Sequence, residues 1–137
     1  MTTVNTLLSG GQGVVVPSGF VGEASTKGTW SNASFGSIGA TNNLTSITLN
    51  KGNYLVISAG SSSTSGCRLG SSINTTSATR DTGTELIATG SATNNANSVT
   101  VFKFLTITSD STPVYAVGFT PDGTVITTGY IQAFRLA

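Results

Sequence analysis

The chain has 137 residues, a net charge of +1 and charged side chains at 8% of positions, with no His and a single Cys. That is the length of one domain, with about a third of the charge of an ordinary globular chain. These numbers exclude an internal disulfide, histidine acid–base chemistry and a basic surface for nucleic acid, which needs clustered Lys and Arg. Lys27, Lys51, Arg68, Arg80, Lys103 and Arg135 are instead spread along the chain. No apolar run approaches the roughly 20 residues that span a bilayer. The start, Met1 to Leu8, has no basic segment leading into a long apolar one, so no secretion signal is expected.

Residues 1–19 read as a separate piece. Val4, Leu7 and Leu8 form one apolar island and Val14, Val15 and Val16 another, with Ser9 to Gly13 between them and Pro17-Ser18-Gly19 as a closing turn. Free tails are normally polar. This one is either a first strand behind a frayed end or an arm that orders on a partner. Residues 20–137 then read as a single β domain.

Within that domain the strand signals are short and frequent. Phe20 to Ala24 is the first, and Gly28 to Trp30 and Ser34-Phe35 are weak. Leu44 to Leu49 alternates, and Tyr54 to Ala59 is continuously apolar. Asn50-Lys51-Gly52-Asn53 between them has the chemistry of a tight hairpin turn. Gly60 to Gly66 reads as a Ser/Thr loop, followed by weak segments at Cys67 to Gly70 and Ser72 to Asn74. Thr84 to Thr89 is stronger, and Ser91 to Asn97 is an amide-rich turn.

Ser98 to Thr108 is the strongest strand. Val99, Val101, Leu105 and Ile107 share one face, and Phe102 and Phe104 the other. Val114 to Phe119 follows, then a Thr120-Pro121-Asp122-Gly123 turn. Thr124 to Ile126 and Gly129 to Leu136 complete the pattern. In the last segment Tyr130, Gln132, Phe134 and Leu136 alternate with Ile131 and Ala133.

No stretch has a period of 3.6, and many short strands at this spacing indicate a β-sandwich or barrel. A sandwich strand normally shows one polar face to water. Strands 98–108, 114–119 and 129–136 are apolar on both faces. Their second faces therefore need a cover, most simply another copy of the chain.

Several motifs carry no function on this reading. Asp81-Thr82-Gly83 matches an aspartic-protease tripeptide, but that chemistry needs two carboxylates sharing a proton, and a plain turn explains it. Asn32-Ala33-Ser34, Asn43-Leu44-Thr45 and Asn74-Thr75-Thr76 match the glycosylation pattern by composition. Gly10-Gly11-Gln12-Gly13 lacks the Lys and helix of a phosphate loop. Asp110 and Asp122 sit singly in turns, too sparse for calcium. Trp30 reads as a packed or surface-anchor residue rather than as a sugar platform, and Cys67 as structural or incidental. No cofactor, metal or catalytic residue is expected, and the chain is read as not an enzyme.

Assembled in order, the segments resemble phage virion proteins. Val16 to Glu23 is similar to a leading segment of tail-fibre and related proteins. Leu44 to Ala59, with its L-x-x-G-x-Y-L-V pattern, resembles tumour-necrosis-factor-like and complement-type jelly rolls. Gly129 to Ala137 is similar to the closing strand of their phage versions. The resemblance covers residues 16–137 loosely.

It implies an all-β, two-sheet antiparallel jelly roll that forms a homotrimer, with Tyr115, Tyr130 and Phe134 near the three-fold axis. The doubly apolar strands add Phe102, Phe104 and Gln132 to the contact set. With no stalk-like repeat before the β pattern, the expectation is a capsid decoration protein. It would be made in the host cytoplasm and carried on the virion, with Val4, Leu7, Leu8, Val14, Val15 and Val16 docking on the major capsid protein. The alternative is a tail-fibre or spike tip that docks on a tail protein and binds a host receptor or glycan through loops 60–66 and 91–97. A glycan-active enzyme would need paired carboxylates, and the chain has five acids in all. Neither nucleic acid nor membrane is expected as a partner.

Overall fold

The computed structural model describes residues 19–25, 27–35, 39, 41–62, 68–81, 86–89, 97–120 and 125–137. Eight strands run through them: β1 (Gly28–Phe35), β2 (Thr41–Leu49), β3 (Gly52–Ser62), β4 (Arg68–Asn74), β5 (Leu86–Thr89), β6 (Asn97–Ile107), β7 (Thr112–Phe119) and β8 (Val125–Arg135). They form two antiparallel four-stranded sheets. Sheet I has the order β1-β8-β3-β6 and sheet II the order β2-β7-β4-β5. This is the strand order of a jelly roll, the expected fold class. Among the described strands, β4 and β5 are the one consecutive pair that share a sheet.

That order corrects the hairpin read at Asn50 to Asn53. β2 pairs with β7, while β3 pairs with β6 and β8, so the turn passes from one sheet to the other. Its polar groups meet the turn after β6 instead. The Lys51 N–H donates to Asp110 Oδ1 (2.8 Å) and the Ser111 N–H to Asn50 Oδ1 (3.3 Å). Asp110 is thereby a turn-bracing residue.

Two further segments differ from expectation. Gly19 to Gly22 is a turn, with strand contact confined to a bridge between Ala24 and Phe134. Gly60 to Ser62 are the end of β3, in register with Gly129 to Thr127, and not part of a loop.

The core between the sheets follows strand alternation. Trp30, Ile47, Leu49, Tyr54, Val56, Leu69, Ile73, Val99, Val101, Ile107, Val114, Ala116, Ile131 and Ala133 are buried in one cluster. Trp30 needs glycine neighbours. Its register partner is Gly129, which in turn pairs with Gly60, and the indole lies across both. A Cβ at Gly129 would stand 2.3 Å from the Ala59 carbonyl oxygen and 2.4 Å from Trp30 Cζ2. Backbone cannot yield there as a side-chain tip would. Gly129→Ala is therefore expected to destabilise the fold by about 1–3 kcal/mol, the usual cost of overpacking, read as a lower urea midpoint at unchanged slope.

Candidate functional site

The two sheets differ in what covers their outer faces. On sheet I the register sets up two apolar rows. Phe104, Leu55 and Phe134 stand side by side across β6, β3 and β8, and Phe102, Ile57 and Gln132 form the next row. Phe102 is 59% exposed and Phe104 75%. Leu55, Ile57, Phe134 and Gln132 are half-buried. Beyond them Ala59 pairs with Tyr130. At the other end of the face, Leu136 joins Phe104 around a shallow depression.

The β8 side of this face is partly occupied from within. Lys27 Nζ lies 3.9 Å from the centre of the Tyr130 ring, a cation–π contact. Gln132 Nε2 donates to the Ser25 carbonyl (3.1 Å). Backbone hydrogen bonds from Gly22, Ser25 and Arg135 tie residues 22–25 along β8. The uncovered part is the edge strand β6 with its two Phe rings. Two large solvent-facing rings on one strand, continuous with Leu55 and Ile57, are the sort of patch that marks an interaction surface.

Five of the six residues named as contacts thus share one surface: Phe102, Phe104, Tyr130, Gln132 and Phe134. Tyr115 does not. It pairs with Ser46 and Asn74 on sheet II, the other layer of the sandwich. Leu55 and Ile57 belong to the surface, and the sequence reading passed over them. Their signal was present in the two-sided apolar run of Tyr54 to Ala59, where Tyr54, Val56 and Ser58 are the buried set. The arm residues Val4, Leu7, Leu8, Val14, Val15 and Val16 lie outside the described residues, as do Cys67, Asp122 and most of the loops 60–66 and 91–97.

The outer face of sheet II is closed by the chain itself. Val117 and Phe119 are 0% and 2% exposed, yet they stand on the opposite side of β7 from the core residues Val114 and Ala116. Residues 75–81, which follow β4, lie over them. Here the second apolar face of strand 114–119 finds its cover within one chain, which corrects the expectation that a second copy supplies it. The glycosylation-like Asn43 and Asn74 are fasteners of this segment. Asn43 accepts from the Ala78 N–H (2.7 Å) and donates to Ser77 Oγ (2.7 Å). Asn74 donates to the Thr79 carbonyl (3.0 Å).

The charged groups also serve structure. Asp81, the acid of the protease-like tripeptide, forms a half-buried ion pair with Lys103, whose Nζ also donates to the Ile73 carbonyl (3.0 Å). Arg135 bonds the Tyr54 hydroxyl and the Lys51 carbonyl, both at 2.8 Å. An open groove of about 550 Å³ runs between residues 19–28 and β2, with Glu23 the one acid lining it among the described residues. No group of three or more Cys, Asp and Glu gathers among the described residues.

No family model and no curated protein matches the sequence. Among solved structures, the chain is similar to the PRD1 vertex protein P5. The TM-score is 0.50 at 14% identity, over 87% of this chain and 100% of that one. A likeness at this identity speaks for the fold.

Proposed function

We propose that the chain is a structural protein of a phage virion, not an enzyme, and that it assembles as a homotrimer through the outer face of sheet I. The observation that carries this is the exposed pair Phe102 and Phe104, at the edge of a face that a lone subunit leaves wet. Burying such rings against a second copy is strongly favourable, since a fully buried Phe contributes about 1.5–3 kcal/mol. The likeness to a phage vertex protein supports a place in the virion, and the resemblances along the sequence point the same way.

Within the virion the reading is capsid decoration. Each trimer would carry three copies of the arm onto the major capsid protein. A protein that binds only the assembled shell stabilises it by mass action, and linking three arms raises the effective concentration of each contact. No cofactor, nucleic acid or membrane takes part. Deletion of residues 1–16 is expected to abolish binding to emptied shells while leaving a folded trimer, as checked by co-sedimentation and light scattering. Undiminished binding would sink the role of the arm. Binding to host cells with indifference to shells would favour the tail-tip alternative.

A further inference from the structure

The outer face of sheet II carries two large apolar side chains, Val117 and Phe119, among polar neighbours, and both are sealed. In the register, Asn43 of β2, Val117 of β7 and Ser72 of β4 form one row. Residues 75–81 are fastened to both ends of that row. Ser77 and Ala78 bond the Asn43 side chain, and the Asp81 N–H donates to Ser72 Oγ (3.4 Å). The segment therefore passes over Val117.

In the next row the Phe119 ring lies against Gly70, where a Cβ would fall 2.1 Å from it, and the Arg80 guanidinium stacks 3.8 Å from the ring centre. Ala78 holds φ at +48°, a conformation that a residue with a Cβ adopts at a cost. The far end is secured from the other sheet. β5 pairs with Arg68 to Ser71, so Ser72 to Asn74 are left as an edge of β4, and there Lys103 of β6 reaches across to Asp81 and the Ile73 carbonyl.

We infer that residues 75–81 are a strap that keeps the outer face of sheet II inert, so that association between copies is confined to sheet I. The inference rests on reading sheet I as the assembly face. A chain sticky on both sides of its sandwich would join copies through both and grow without closing, because contacts that do not close a ring propagate. The fastenings described are mostly polar, and beneath them lie the buried apolar side chains of Val117 and Phe119. The strap thus separates a finite assembly from an open one.

The test uses the full chain and two variants. Asn43→Ala removes two fastenings from an exposed position, and Lys103→Met releases the far end. Hydrogen exchange by mass spectrometry reads Val114 to Thr120 against β3, and light scattering over a concentration series reads size. Exchange in Val114 to Thr120 is expected to rise tenfold or more with β3 unchanged, and both variants to grow past the size of the unaltered protein as concentration rises. Unchanged exchange and size would overturn the inference. So would exchange that rises equally everywhere, since the segment would then be part of the fold and not a separable cover. Faster exchange without growth would overturn it too. An unaltered protein that stays monomeric would count against the trimer instead, and the exchange and growth of the variants would still decide the strap.

Discussion

Replacing Phe102 and Phe104 together with Ser is expected to yield a folded monomer in place of the proposed trimer. Both rings face solvent in the single subunit, at 59% and 75% exposure, so the fold has little to lose. Surface substitutions of this kind usually stay within about 0.5 kcal/mol of neutral. The assembly loses far more. Two Phe rings withdrawn from each contact remove about 2–4 kcal/mol of burial, or about 30- to 1,000-fold in each association constant. Light scattering on the variant should give a subunit mass at concentrations where the unaltered protein gives three, with an unchanged melting curve. A variant that keeps its size would show that some other surface joins the copies.

Trp30→Ala is expected to act in the opposite way, on the fold and not on assembly. The indole is 7% exposed, and its Nε1 donates to Thr127 Oγ1 at 3.4 Å. Its ring fills the space left by Gly60 and Gly129, so truncation leaves a cavity that glycine backbone has no side chains to fill. Losses of about 3–5 kcal/mol attend Trp→Ala in such a core, a large part of the 5–15 kcal/mol of a typical domain. Denaturant unfolding should show it directly. Unaltered stability together with lost glycan binding would return Trp30 to the role of a sugar platform.

Much of the layering was legible in the alternation of single strands. β6 shows this best: Val99, Val101 and Ile107 are buried and Phe102 and Phe104 exposed, as period-two spacing dictates. Ile131 and Ala133 likewise face the core. What alternation could not supply was the identity of the cover on each second face. A strand that is apolar on both sides needs burial, but whether a neighbour or the same chain provides it depends on contacts remote in sequence. For β7 the cover comes from residues some forty positions earlier, held by Asn43 and Lys103. The resemblance to trimeric jelly rolls grouped Tyr115 with Tyr130 and Phe134 near one axis, yet sheet membership divides them.

The weak strand readings have the same origin. β1, β4 and β8 each look broken in the sequence. β1 is interrupted by a bulge with Asn32 at φ +53°, a conformation that Asn tolerates better than most residues. In β4 and β8 a glycine, Gly70 or Gly129, flanks the break, and local propensity counts it against a strand. Both glycines are there to admit a distant ring, Phe119 over one and Trp30 over the other. The feature that hides the strand locally is the one that seats it globally.

The alternation of strands between layers also bears on how fast the polypeptide acquires its shape. β1 must wait for β8, the last of the described strands in chain order, and β3 has no ladder until β6 and β8 arrive. Long loops therefore close before any pairing rewards them, which places such topologies in the millisecond-to-second range of folding times. The exception is β4 with β5, joined by the residues that include the strap. That hairpin can form from local encounters alone, making it the natural place for ordering to begin on a chain still emerging from the ribosome.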